Sequence, residues 1–162
     1  MPLVWKIDPA NSLAVAVANG DVTRLEVDRY LDALIENDAL AYRKVFDVHK
    51  GDTSMTADDV LPLGVRLRSL HELGQMGPLT VVLPAGRGKR LQRALGMVAA
   101  AKRPMRVFDK PLLAYRWIAK QDLPGVMPAP AEEKDTLEWS AKARDLAARV
   151  RDLARLASRE AH

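Results

Sequence analysis

The sequence has no cysteine among its 162 residues. That excludes a disulfide scaffold, a thiol nucleophile and thiolate-held zinc or iron–sulfur centres, and it fits a reducing compartment. Histidines number three. Neither His71 nor His162 has a companion at metal-ligand spacing, and His71-Glu72 lacks the second nearby histidine of a zinc-protease helix. No metal and no cofactor is therefore expected. Long apolar runs are missing as well. The longest, such as Leu79-Thr80-Val81-Val82-Leu83, fall far short of the roughly 18 residues that span a bilayer. Met1 to Asp8 lacks the basic, apolar and small-residue regions of a signal peptide. The expectation is a cytoplasmic protein with no transmembrane segment.

Hydrophobic residues make up 48 % of the chain and charged residues 28 %, a globular balance at a length that suits one domain without staples. The charge is unevenly spread. Residues 1–60 carry 6 Lys and Arg against 11 Asp and Glu, whereas residues 61–120 carry 12 against 2. The excess sits in Arg87-Gly88-Lys89-Arg90 with Arg93, and in Lys102-Arg103 with Arg106. Such runs attract phosphate or an acidic partner, or form a solvated helix face. They lack interleaved aromatics and any recognition motif, which argues against nucleic acid as the partner.

Leu3, Trp5 and Ile7 alternate with Val4 and Lys6, and Leu13, Val15 and Val17 alternate with alanines. Two period-2 segments flanking Asp8-Pro9-Ala10-Asn11-Ser12 predict a hairpin. Val27, Tyr30, Leu31, Leu34 and Ile35 then follow helical spacing, closed by Asn37-Asp38. Tyr42 to Val48 reads as a third strand ending in a polar turn at His49-Lys50-Gly51-Asp52. The start of the second helix is ambiguous. Thr56-Ala57-Asp58-Asp59 looks like a capping box, yet Pro62 is tolerated only in a first turn, so a kink or a start near Asp59 is expected. Leu63, Leu67 and Leu70 form its apolar face, and Gly74 to Pro78 breaks it before a fourth strand buried on both sides.

Pro84 to Gly88 leads into a helix with Leu91, Leu95 and Val98, and Met105 to Phe108 makes a fifth strand. Asp109 then caps a helix with Pro111 in its first turn and Leu113, Trp117 and Ile118 facing inward. The order ββαβαβαβα demands an α/β fold: a mixed, mostly parallel five-stranded sheet packed with helices. That domain covers residues 1–120. Residues 121–135, with three prolines and a glycine, form a linker. Residues 136–162 form an amphipathic C-terminal helix. Its seam of Trp139, Ala143, Leu146, Val150, Leu153 and Ala157 suits packing on its own domain or pairing as a homodimer.

Val4-Trp5 on the first strand, Ala18-Asn19-Gly20 closing the second, Val45-Phe46-Asp47, Val107-Phe108 and Ala114-Tyr115-Arg116-Trp117-Ile118 occupy a familiar order. Through them residues 3 to 120 resemble the STAS, or SpoIIAA-like, superfamily of bacterial anti-sigma-factor antagonists, which is related to a class of lipid-binding domains. The resemblance implies a SpoIIAA-like βα superhelix. It rests mostly on packing positions and says more about fold than activity. In the antagonists the regulated residue is a phosphorylatable serine in an Asp-Ser-Ser-Gly turn after the third strand. Asp52-Thr53-Ser54-Met55 is similar in spacing, departing at Met55 and at Lys50-Gly51. The resemblance makes Asp52, Thr53, Ser54 and Thr56 a candidate phosphosite and partner turn. A hydroxyl at a helix start suits phosphate, and such residues also populate ordinary turns.

A hydrolase-like set of Asp47, His49 and Ser54 can be drawn, since Asp47 and His49 share a strand face. No Gly-x-Ser-x-Gly elbow follows any strand. No catalytic residue is assigned and a non-enzymatic protein is expected. The candidate anion-binding residues are Gly86, Arg87, Gly88, Lys89 and Arg90, a glycine-rich strand-to-helix turn at the carboxyl end of a parallel strand. The turn matches neither the Walker loop nor the dinucleotide fingerprint, where Leu91 replaces the third small residue. Cations at a helix start oppose the helix dipole, which speaks for an anion.

Two functions follow. The first is a STAS-like regulatory or interaction module that meets a protein partner through Asp52 to Asp59 and the second helix. The second is a carrier or sensor of a lipid-like or anionic small ligand. A cavity between the sheet and its helices would favour the second.

Overall fold

Alternation in the first twenty residues sets up the sheet. In the computed structural model, which describes residues 2–86, 103–125 and 136–160, β1 (Leu3–Asp8) runs antiparallel to β2 (Leu13–Asp21), with Leu3 opposite Ala18 and Asp8 opposite Leu13. Because strand side chains alternate, Leu13, Val15 and Val17 point to one face and Ala14, Ala16 and Ala18 to the other. All six are buried, so both faces need a cover. Helices α1 (Arg24–Glu36) and α2 (Ala57–Leu73) pack on the alanine face, and α3 (Pro111–Ala119) and α4 (Thr136–Glu160) on the other.

Strands β3 (Arg43–Asp52), β4 (Leu79–Val82) and β5 (Met105–Phe108) extend the sheet in parallel, in the order β1-β2-β3-β4-β5. The fold is α/β with a mixed, mostly parallel five-stranded sheet. Val81 of β4 enters the core under α1 and α2, and Val82 the core under α3 and α4, which explains its continuous apolar run. The helix expected around Leu91 to Val98 lies outside the described residues.

Several local expectations are corrected. The third strand does not end at Val48. Lys50, Gly51 and Asp52 pair with Asn19, Gly20 and Asp21 after a register shift, so the polar segment is strand, not turn. Gly51 is buried there, and a Cβ on it would lie 2.7 Å from Val48 Cγ1 and 2.8 Å from Ala18 Cβ. The glycine marks a close approach of strands rather than a bend. The capping box decides the start of α2: the Thr56 N–H and hydroxyl both donate to Asp59 Oδ2 at 3.0 Å. The helix continues through Pro62, which is exposed. The carbonyl that a proline leaves unbonded can be met there by water.

At α3 the cap is Lys110, not Asp109, because Pro111 takes the first helical position and forces the preceding residue into an extended conformation. Leu113 is exposed, and the buried face is Ala114, Tyr115, Ile118 and Ala119. Ile35 also faces outward, at the edge of the α1 stripe.

The C-terminal seam packs within its own chain. Ala143, Val150, Leu153, Ala154 and Ala157 join Leu13, Val15, Val17 and Ile118 in one core. Arg149 Nε donates to Asp8 Oδ2 at 2.8 Å, and Lys6 pairs with Glu160. The surface offered for a homodimer is thus largely spent in cis. Among the described residues no helix is long and apolar enough to cross a membrane.

Candidate functional site

A cavity of about 140 Å³ lies between the sheet and helices α1 and α2. Alternation on β3 turns Lys44, Phe46 and Val48 toward it, and β4 adds Leu79 and Val81. Helical spacing brings Val27, Tyr30, Leu31 and Leu34 from α1, and Val60, Leu63 and Leu67 from α2. The two helices are clamped over it by Arg66, whose guanidinium donates to Asp28 Oδ1 at 2.6 Å and also binds Asp32. An engineered apolar pocket of about 150 Å³ holds benzene, so the volume suits a small apolar body.

One end of this cavity is cationic. Register places Lys44 beside Leu79 and Leu79 beside Met105, so the amino-terminal ends of β3, β4 and β5 bring Lys44 close to the approach of Arg103. Lys44 is 2 % exposed. Its ammonium donates to the carbonyls of Leu40 and, at 2.8 Å, Tyr42. Burial, and then the Arg103 charge, hold its pKa well below the ordinary lysine value. Burial likewise pushes Arg103 down to about 10, opposed by the nearby Tyr30. Arg103 reaches Gly77 O only at 3.4 Å, and its Nε is buried with no hydrogen-bond partner. The Tyr30 hydroxyl and His71 Nε2 are buried and unpartnered too. Burial first, then the charges of Arg103 and Lys44, lower the His71 pKa.

No carboxylate among the described residues pairs with Lys44 or Arg103. An unmet buried donor costs about 1–3 kcal/mol, and uncompensated buried charge costs more. A fold retains such a cluster at a cost.

The cavity also reaches the turn singled out in the sequence. Thr53 and Met55 line it. The Thr53 hydroxyl donates to Val22 O at 2.9 Å and accepts from the Met55 N–H at 3.2 Å. Ser54 is clamped to Asp21, its N–H to Oδ1 at 2.6 Å and its hydroxyl to Oδ2 at 2.7 Å. Thr56 caps α2 with Asp59, and Asp52 Oδ1 accepts from the Thr53 N–H. Phosphate on Ser54 would face Asp21 and the acidic first turn of α2 formed by Asp58 and Asp59. Like charge there would break the clamp rather than dock it.

On the opposite face, Asp47 is 2 % exposed. Its Oδ2 accepts from the Tyr115 hydroxyl at 2.9 Å, and its Oδ1 meets His49 Nδ1 at 2.5 Å and the His49 N–H at 3.1 Å. Burial, then the Asp47 charge and bond, raise the Tyr115 pKa above the ordinary tyrosine value. The shared strand face of Asp47 and His49 is as expected. Ser54 does not join them, since its hydroxyl is given to Asp21. Gly86 is described, exposed at φ 83°, while Arg87, Gly88, Lys89 and Arg90 lie outside the described residues. No group of three or more possible metal ligands occurs among the described residues.

Sequence reasoning missed the cationic pole. Its signal was available in part: Lys44 is in phase with Phe46 and Val48 on the inward side of a strand. In the sequence Arg103 shows only as one member of a basic run, and Tyr30 only as a helix-face apolar residue. Comparison with known proteins gives no match, whether to a family model, a curated protein or a solved structure.

Proposed function

We propose that the protein binds a small apolar molecule between its sheet and α1–α2, as a carrier or sensor. The cavity walled by Val27, Leu31, Phe46, Leu63 and Val81 carries this reading, because close-packed cores seldom keep a void larger than a water. Titrating isotope-labelled protein with toluene tests it. Saturable amide shifts are expected at Val27, Leu31, Phe46, Val48 and Leu63, and their loss in Val60→Phe, which projects a ring into the space. No saturable shift, or shifts centred on Val15, Ile118 and Ala154 across the sheet, would overturn it.

A second reading is supported by the outer face of α2. Leu61 and Val65, one helical turn apart, are 58 % and 55 % exposed beside the Asp52 to Asp59 turn. This favours a STAS-like module meeting a protein partner there, with a SpoIIAA-like arrangement of the sheet. The two readings are compatible, since Thr53 and Met55 belong to the partner turn and to the cavity wall. Leu61→Asp with Val65→Asp would leave toluene binding intact. If the double variant still captured the partner as well as wild type does, the second reading would fail.

A further inference from the structure

The proposed ligand site has one polar end, and the chemistry of that end narrows the ligand; this step rests on the binding reading above. We infer that the ligand is an amphipathic monoanion, a carboxylate in its simplest form, with its head at Lys44, Arg103 and Tyr30 and its apolar body directed toward Val60 and Met55. Four observations converge on it.

Lys44, buried, and Arg103, half-buried with its Nε enclosed, line one end of the cavity with no described carboxylate between them. The segment leading to Arg103, residues 87–102, contains five Lys and Arg and no Asp or Glu, so the adjoining chain supplies no counter-charge. The Tyr30 hydroxyl and Arg103 Nε are buried donors without an acceptor, and the Tyr30 residue is only 4 % exposed. The remaining walls are almost wholly aliphatic or aromatic.

An anion seated between two cations that repel one another meets both charges and both free donors. Lys44 already gives two N–H bonds to the carbonyls of Leu40 and Tyr42, which leaves it one. That donor, with the Arg103 Nε–H and the Tyr30 hydroxyl, is enough to meet the two oxygens of a carboxylate. Lys44 and Val48 are four strand residues apart, about 13 Å, so the body would lie along β3.

Isothermal titration with octanoate, octan-1-ol and octylamine separates head from body. Octanoate is expected to bind about tenfold or more tighter than octanol, with octylamine weakest. Arg103→Leu and Lys44→Met should each erase that preference, octanoate binding no tighter than octanol in either variant. Tyr30→Phe, which removes a single oxygen, should weaken octanoate about threefold and carries the test if a charge variant fails to fold.

A purely structural role for Arg103 would make ligand-free Arg103→Leu less stable than wild type. The proposal expects it to be at least as stable, with octanoate raising the melting midpoint of wild type more than that of the variant. Equal binding of octanoate and octanol, or a preference that survives both charge variants, overturns the monoanion and leaves the apolar site standing. Failure of octanoate, octanol and toluene alike overturns both.

Discussion

The two faces of the sheet treat buried charge in opposite ways. Under α3, the Asp47 carboxylate receives three donors, from the Tyr115 hydroxyl, His49 Nδ1 and the His49 N–H. It sits in a core that includes Val45, Val82 and Ile118, all at 0 % exposure. Under α1 and α2, Lys44 and Arg103 lie beside a cavity with donors left over. A satisfied buried charge fixes geometry and is part of the frame. An unsatisfied one beside a void costs stability, which is the ordinary mark of a site kept for binding.

The largest effect should come from the satisfied face. Asp47→Ala strips three donors of their acceptor and leaves a hole, a loss of about 3–4 kcal/mol. The denaturation midpoint should fall with unchanged steepness. A loss under about 1 kcal/mol would place the carboxylate outside the structural frame and erase the contrast between faces.

Arg103→Leu should go the other way on the cavity face. Removing a half-buried, unpaired charge relieves its desolvation, and the shorter leucine gives part of that back in lost contact, so the ligand-free protein is expected to be at least as stable as wild type. Marked destabilisation in chemical melts would mean that its weak bond to Gly77 O matters more than its charge.

Alkaline pH sharpens the contrast through Lys44. Its folded pKa lies below the ordinary 10.5, so in the interval between the two the unfolded chain holds more protons. Wild-type stability therefore rises with pH across that interval. Above 10.0, the ordinary tyrosine value, burial keeps Tyr30 and Tyr115 protonated in the folded state and opposes the rise, while Arg103, lowered to about 10, adds to it. Lys44→Met should flatten the rise. An identical slope in wild type and variant would assign the effect elsewhere.

Much of this frame was legible from periodicity alone. The hairpin, the α1 stripe around Leu31 and Leu34, the two-faced β4 and the seam of α4 follow from spacings of two and three to four, because burial enforces those spacings. What escaped was set by contacts distant in sequence. Gly51 looks like a turn residue until Ala18 and Val48 crowd it. Asp109 looks like a cap until Pro111 claims the first helical position. The Asp47 to Tyr115 bond spans 68 residues, and the pairing of Lys44 with Arg103 depends on three parallel strands starting in line. No local pattern encodes either. The Ser54 turn is legible for its hydroxyls, whereas its clamp on Asp21, 33 residues earlier, is another contact distant in sequence.

The smallest effect concerns how α4 is held to the satisfied face. Burial alone would raise the Asp8 pKa, but the Arg149 bond, the Asn11 bond and the Arg149 charge outweigh it and leave it below the ordinary 3.8. Arg149 is half-exposed at its end of the pair, so screening by water and salt keeps the contribution modest. The sign is nevertheless fixed. A carboxylate with a depressed folded pKa contributes stability that is present above the unfolded value and disappears as pH falls through the folded one. Arg149→Ala removes the partner and lets burial push Asp8 upward. The stability difference between wild type and variant should therefore be full at neutral pH and shrink toward zero once both forms of Asp8 are protonated. Adding salt at neutral pH should narrow it as well. A difference independent of both acid and salt would show that Arg149 holds α4 through the packing of its aliphatic stem. The seam of Val150, Leu153 and Ala157 would then account for the attachment without help from charge.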